Sequence, residues 1–495
     1  MTKIDCMRNT NILRPFCRRK EGETRVFSDL VAAVDIGTTN VKIGLFNFSG
    51  EKIFLFQQRC FESSRSGVHE VSTEKWWKAV VQGFHSIDSS YRKNIVAICI
   101  TGQGPTTIMV DERQKVFGKA ITWIDKRGFE SLKKIIEKGI DGQTATVVAH
   151  LIEVEKNLTQ KVYLLQPSDF IIMKLTRKIV NASFPQSGYL PWNKEILEKF
   201  NLDKKFSIPP LVNTGEVISS IDRSIARVLG VNDKALIIAG APDFAMALIG
   251  TGVLEDGMLC DRGGTSQGLT LCSAKKILHP GLITTPFFLD DYWKISGVMT
   301  TTGGAYEWFS RQVARTRLVN LARLMQIKRP TGVIFLPHLN GERSPYWNPS
   351  LRGAFFGLSF NDDWKTMLVS VVEGVAYAIR EIVELMKKSG CDIKTIRTTG
   401  GQSLNDLWNQ TKSDVLGKEL EVVNVHESEL LGCAIVAISS LSKESFLQIS
   451  KKIVRVSRKF LPCMDKHEVY SRLFELYQLI HRRNEDIFEK LTKSL

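Results

Sequence analysis

The sequence predicts an α/β protein built from two related domains that face one another across a cleft. Three observations point to it. Apolar, strand-like runs alternate with helical stretches from Leu30 to Asp243, which is how a layered α/β architecture reads. A hairpin tipped with glycine and hydroxyl residues, "AVDIGTTNVKIGLF" from Ala32, is echoed by "GMLCDRGGTSQGLTLCS" from Gly257, as an internal repeat would produce. The chain has 495 residues, too many for one hydrophobic core, so domains of roughly 200 to 250 residues are expected.

The elements follow in order. Residues 1–29 are polar and without sustained periodicity. They read as a flexible basic extension, and Asp5, Glu21 and Glu23 speak against a mitochondrial presequence, which avoids acids. Strands "VAAVDI", "VKIGLF" and "KIFLFQQ" come next, the last two joined by a turn at "NFSGE". A helix, "STEKWWKAVVQGFHSI", leads to a buried strand, "NIVAICIT", which ends in "GQGPTT". Alternation continues to "ALIIAGAPD", and the first domain is expected over 30–254. The second, over 255–445, repeats the hairpin and continues with "WKISGVMTTTGG" before a helix, a helix ending in "VVEGVAYAI", and "IKTIRTTGGQSLNDLWNQ". A basic, helical segment over 446–495 closes the chain, its "EVYSRLFELYQLIHRRNEDIFEKL" expected to pack on the second domain.

Composition narrows the function classes. With 43% hydrophobic and 24% charged residues the chain reads as an ordinary soluble globular protein. No apolar stretch is long enough to span a bilayer and no secretory h-region follows Met1. The formal charge of +15 would suit nucleic acid or a membrane surface. It is dispersed, however, with concentrations only at Arg18–Lys20 and at Lys451, Lys452, Arg455, Arg458 and Lys459. No zinc-finger spacing or aromatic RNP pattern accompanies it, so it is read as solvated surface charge, with neither nucleic acid nor membrane as partner. The nine cysteines are scattered without a CxxC, and the eight histidines form no metal-ligand pattern. Free thiols in a reducing cytosol are the expectation.

The hairpin tips carry the chemistry. Amides of a tight glycine turn can surround phosphate oxygens, and glycine removes the Cβ that would obstruct them. An acid at the strand end repels phosphate but binds it through Mg²⁺. Asp35 with Gly37, Thr38 and Thr39 fits such a tip, with Lys42 near enough to neutralise charge; alone it is equally an ordinary hairpin. Three more tips change the balance: Gly264, Thr265 and Ser266; Gly303 and Gly304 at a strand-to-helix junction; and Gly400 and Gly401, followed by Gln402 and Ser403. Ser403 with Asp406 resembles a capping box, and helix starts suit anions. Four such tips on two facing domains describe a nucleotide held in a cleft.

"DIGTTNVK", "TGQ", "ITWIDKR", "GAPD", "GGTS", "PHLNGERSPYWNP", "RGAFFGLSF", "SVVEGVAYAIRE" and "TTGGQSLNDLWNQTKSDVLG" stand in that order. The constellation resembles the FGGY carbohydrate kinases of the actin/Hsp70/sugar-kinase superfamily over roughly residues 30 to 445. The resemblance implies two ribonuclease-H-like domains that close on ATP and a sugar, with transfer of the γ-phosphoryl group to a hydroxyl. It implies that Asp35 orients Mg²⁺, that Thr38 and Thr39 meet the transferring phosphates, and that Gly264 and Thr265 hold phosphates from the far domain. Gly303 would line the nucleotide site, and Gly400, Gly401 and Asn405 would border the adenosine. Asp243 in "GAPDF" would be the general base, close enough to share the metal; by itself it also reads as a helix N-cap after Pro242.

Specificity is less legible. Gly104 and Pro105 replace the side-chain pairs that contact substrate in xylulose and glycerol kinases, and Phe244 stands where a polar residue is usual. "NGERSPYWNP" and "GVHEVSTEKWWKAV" are more like the xylulose type, so the expected acceptor is a ketopentose. Trp123 would wall the sugar site, or else be a core tryptophan, with Gln103 and Asp125 as polar contacts or supports. A kinase for another sugar or polyol (ribulose, a hexulose or glycerol), a shape-changing ATPase and a catalytically weak, ligand-binding paralogue remain as alternatives. No contact face is identifiable, and relatives that form dimers leave a homodimer open.

Overall fold

A computed structural model describes residues 29–60, 68–140, 142–183, 192–289, 291–315, 324–442 and 444–494. The extension expected over 1–29 lies outside the described residues save for Asp29. β1 (Leu30–Ile36), β2 (Asn40–Asn47) and β3 (Lys52–Arg59) form an antiparallel meander. β1 is buried throughout and apolar except at Asp35, as a strand covered on both faces must be. α1 (Thr73–His85) precedes β4 (Ile95–Gly102), which runs parallel to β1. Then come α2 (Pro167–Thr176), β5 (Val217–Ser220), β6 (Leu236–Pro242) and α3 (Asp243–Thr251). The sheet order is β5-β6-β4-β1-β2-β3, and a smaller five-stranded sheet is inserted within residues 70–207.

The second half starts with β7 (Met258–Gly263), β8 (Gln267–Ser273), β9 (Ile283–Pro286) and β10 (Trp293–Met299). It continues through α4 (Gly303–Trp308), α5 (Trp364–Lys388), β11 (Thr395–Thr399) and α6 (Asp406–Leu416). β12 (Leu420–Val423), α7 (Ser428–Leu441), β13 (Val456–Phe460) and α8 (Met464–Lys493) complete it. Its sheet runs β9-β10-β8-β7-β11-β12-β13. With β9 set aside, each sheet has three antiparallel strands, then two that run parallel, then an antiparallel edge. The echo between the two hairpins is thus a repeat of sheet topology.

Among the described residues four cores hold the molecule, one of them, around Val148, Leu164 and Trp192, within the part of the chain that carries the smaller sheet. α1 and α2 cover one face of the first sheet, with Val34, Ile36, Trp76 and Phe170 packed together. α5 and α8 cover the outer face of the second, where Leu269, Ile295, Val372 and Tyr477 meet. Between the sheets lies another core, joining Val31 and Ala33 of β1, Cys260 of β7, Met246 of α3 and Leu431 of α7. α3 and α7 cross closely because both carry glycine at the contact. A Cβ at Gly250 would stand 2.0 Å from the Ser428 carbonyl oxygen, and one at Gly432 would stand 1.9 Å from that of Met246. Gly432→Ala is therefore expected to destabilise by about 3 kcal/mol through forced separation of the helices. Thermal unfolding checks this; an unchanged midpoint would mean that the crossing yields freely.

β13 forms an edge of the second sheet, and Tyr470 and Tyr477 of α8 are buried in its outer core. The C-terminal basic cluster is largely paired: Lys451 with Glu255 at 2.7 Å, Lys459 with Glu419 at 2.6 Å, and Arg458 with Asp406. Among the described residues all the cysteines are free, and no helix is long and apolar enough to cross a membrane.

Asp169, in the first turn of α2, is fully buried and accepts from the backbone N–H groups of Gln166 and Ala182, each at 2.9 Å. Burial pushes its carboxyl up to about 7 despite those two bonds. The folded value is raised, so its contribution to stability is full below the ordinary 3.8 and is lost as pH rises through about 7. Asp169→Asn is expected to flatten the stability curve across that window, measured as denaturation midpoints; an unaltered slope would contradict the assignment.

Candidate active site

The turn between β1 and β2 is tight: Gly37 N–H donates to the Asn40 carbonyl at 3.0 Å, and a Cβ on Gly37 would lie 2.9 Å from that oxygen. Asp35 is 3% exposed. Lys42 Nζ lies 3.5 Å from its Oδ2, while Oδ1 has no hydrogen-bond partner among the described residues. Burial above all raises the Asp35 carboxyl to about 7; Lys42 opposes this, and the nearby Glu429 and Asp243 reinforce it. A buried carboxylate with an uncommitted oxygen and neighbouring acids fits a divalent cation. Among the described residues no cluster of three or more His, Cys, Asp or Glu is arranged to hold a metal, so phosphate oxygens and water would supply most ligands.

In the second half three tips meet. Gly303 N–H donates to the Gly264 carbonyl at 3.1 Å, and Gly304 N–H to that of Thr265 at 3.0 Å. Gln402 Nε2 donates to the Gly264 carbonyl at 3.2 Å and to Thr302 Oγ1 at 3.0 Å. A Cβ on Gly303 would lie 2.4 Å from the Gly264 oxygen, and one on Gly400 2.4 Å from the Gly263 oxygen. The result is a glycine cradle that no other residue type leaves open. Ser266 lies in the same turn, and Gly401 faces open space. Gln402 acts here as a strut between tips.

The capping box expected from Ser403 and Asp406 does not form. Residues Gly401–Leu404 make a 3₁₀ turn, in which Ser403 Oγ donates to the Gly400 carbonyl at 2.7 Å. α6 starts after that turn, with Asn405 as its N-cap: extended in backbone, its Oδ1 accepting from Trp408 N–H at 3.1 Å.

Asp243 is the first residue of α3. Pro242 occupies the N-cap position, and no side-chain cap forms. The Asp243 carboxylate is 25% exposed, and Arg262 Nη1 lies 3.2 Å from its Oδ2. The same nitrogen lies 3.3 Å from Glu429 Oε1 at the start of α7. Burial opposes the charge of Arg262, but Asp243 and Glu429 hold its pKa above the ordinary value. Burial likewise works against the Glu429 carboxylate, yet Lys42 and Arg262 keep it below the ordinary range. Arg262 immediately precedes the Gly263–Gly264 turn, so one guanidinium joins the helix carrying Asp243 to the strand carrying the cradle.

Trp123 Nε1 donates to Thr38 Oγ1 at 3.2 Å, and the Arg343 guanidinium stands 5.5 Å from its ring centre. Trp123 therefore touches both halves. Gln103 N–H donates to the Ile36 carbonyl at 2.9 Å, and neither atom of its buried side-chain amide has a hydrogen-bond partner among the described residues. Gly104 follows it in the turn. Asp125 is a support: Arg127 Nε and Nη2 donate to its two oxygens at 2.9 Å each, and His69 N–H donates at 2.7 Å. Phe244 stacks under Lys294, whose Nζ is 3.8 Å from the ring centre.

Arg262, Glu429, Arg343 and Lys294 were absent from the sequence-based site. Arg262 gave a signal as a charge inside an apolar hairpin strand, and Arg343 stands inside the quoted "PHLNGERSPYWNP" without having been singled out. Glu429 reads as a routine acid at a helix start, and its partners lie far away in sequence.

Two repeated α/β halves, a glycine cradle and an accessible acid at the helix start between them define a two-domain phosphotransferase. Residues 30–250 match the N-terminal domain of the FGGY family of carbohydrate kinases, and residues 262–441 match its C-terminal domain. The chain belongs to that family. It is 25% identical to xylulose kinase of Bacillus subtilis, over 92% of this chain and 97% of that protein. It is 24% identical to gluconokinase of the same organism, over 92% and 96%. The ligand-bound xylulose kinase of Lactobacillus acidophilus superimposes with a TM-score of 0.81 at 21% identity, covering 94% of this chain and 100% of that one.

Proposed function

We propose that the protein transfers the γ-phosphoryl group of ATP to a hydroxyl of a small carbohydrate, with Asp243 as general base. The observation that carries this reading is the accessible Asp243 carboxylate, tied through Arg262 to the cradle-bearing strand at 3.2 Å. A hydroxyl is a weak nucleophile until its proton begins to leave, and a carboxylate at hydrogen-bond distance accepts that proton. Thr38, Thr39 and the amides of the Gly263–Ser266 turn would hold phosphate oxygens, while Lys42 offsets their charge. Mg²⁺, held through Asp35 and water, would supply charge neutralisation on the phosphates. The repeated sheet order supports the ribonuclease-H-like reading of each half.

Motif likeness favours a five-carbon ketose such as xylulose. The similarity to xylulose kinases and gluconokinases is nearly equal, so it does not choose between them. ADP release measured across pentuloses, hexuloses, pentitols, glycerol and sugar acids tests the reading. Acceptor-dependent release supports it. ATP turnover without acceptor would favour the shape-changing ATPase, and no turnover at all would favour a ligand-binding paralogue.

A further inference from the structure

The face of the second sheet that carries Arg262 mixes polar and charged residues with the buried Cys260 and Cys272. Register pairs Arg262 with Gly268, Gly268 with Val298, Thr270 with Ser296, and Cys272 with Lys294. Strand alternation puts all of these on one face. The opposite face carries Leu259, Leu269, Leu271, Ile295 and Met299, buried in the outer core. On the inner face Thr270 Oγ1 and Ser296 Oγ are 3.2 Å apart, and a Cβ on Gly268 would meet nothing within 4 Å. Open space at Gly268, two hydroxyls and two cations therefore share one face of the sheet.

Lys294 differs from Lys42 and Arg262 and is like Arg343, which donates to the Met299 carbonyl and forms no ion pair among the described residues. Lys42 and Arg262 each have a carboxylate within ion-pair distance. Lys294 is half-buried on the Phe244 ring, and among the described residues it forms no ion pair. Burial first, and then Arg262, pull its ammonium down to about 8, with Asp243 pulling the other way. A partly desolvated cation without a counter-ion is costly unless a ligand supplies one. Phe244 offers no hydrogen bond to a neutral hydroxyl, and its ring, next in the chain to Asp243, carries this cation at 3.8 Å.

We propose that the acceptor sugar carries an anionic group, a carboxylate or a phosphate, seated on Lys294 while one of its hydroxyls meets Asp243. The inference rests on the kinase reading above but departs from the ketopentose that motif likeness favours: it gives the kinase an aldonate-type or phosphorylated acceptor in place of a neutral ketose. The acceptor O–H gives its proton to Asp243. The oxygen forms a bond to the γ-phosphorus as the bond from that phosphorus to the β,γ-bridging oxygen breaks, and ADP departs with that electron pair.

The test is steady-state ADP release by the full chain with gluconate and ribonate, with ribulose 5-phosphate, and with xylulose and ribulose. One anionic class is expected to exceed the neutral sugars in kcat/KM by roughly tenfold or more, and the two anionic arms separate carboxylate from phosphate. Lys294→Met should raise KM for that acceptor by a similar factor while KM for ATP stays level, and Lys294→Arg should recover most of it. Stabilisation of the wild-type protein by the acceptor in thermal shift, lost in Lys294→Met, gives a second readout. A neutral sugar as best acceptor, or an anionic KM indifferent to Lys294→Met, would overturn the inference and leave the kinase intact. No acceptor-dependent release with any sugar would take down the kinase reading itself.

Discussion

Asp243→Asn is expected to lower kcat by roughly 10²- to 10⁴-fold, or about 3 to 5 kcal/mol of barrier. ATP binding should be nearly unaffected. The amide has the same shape and its oxygen still accepts from Arg262, which keeps its second partner, Glu429, at 3.3 Å. What the amide cannot do is take the acceptor proton. Single-turnover phosphoryl transfer, set beside fluorescent-nucleotide binding, separates the two effects. Near-normal turnover would remove Asp243 from the mechanism and leave positioning alone to explain the rate.

Lys412→Met is expected to cost about 3–5 kcal/mol of stability, because it strands a buried acid. Lys412 Nζ lies 2.6 Å from Asp261 Oδ2, and the two side chains are 0% and 2% exposed. Thr398 Oγ1 donates to the same oxygen at 3.1 Å, and Gln267 Nε2 donates to the other. Hydroxyl and amide cannot replace the lost charge. The damage should reach function: Asp261 lies on β7 before the Gly263–Gly264 turn, and Thr398 lies on β11 before Gly400. A raised KM for ATP should accompany a thermal midpoint lowered by roughly 10 °C. Combining Asp261→Asn with Lys412→Met should restore much of the stability. A double variant no better than the single one would show that packing of Lys412, and not its charge, matters.

Much of the site was legible because its signals are local. A buried parallel strand needs a continuous apolar run, so β1 and β4 stood out, and Asp35 stood out as the interruption in β1. A turn that admits phosphate needs glycine, so Gly37, Gly264, Gly303 and Gly400 marked themselves. Asp243 was visible as an acid closing an apolar strand before a helix. The capping of α6 was misplaced at Ser403, because nothing local says that a 3₁₀ turn intervenes before Asn405.

The sequence by itself determined the two-fold α/β plan, the glycine tips and the acid that closes β6, since each depends on residues within a few positions of one another. Only the tertiary structure decided that Arg262 bridges Asp243 and Glu429, that Gln402 ties the tips together, and that Lys294 lies on Phe244 with no ion pair among the described residues. Charge interactions act through space and fall off with distance, whereas a chain records only order. Arg262 and Glu429 are 167 positions apart in the sequence, and the crossing of α3 with α7 brings their charges together.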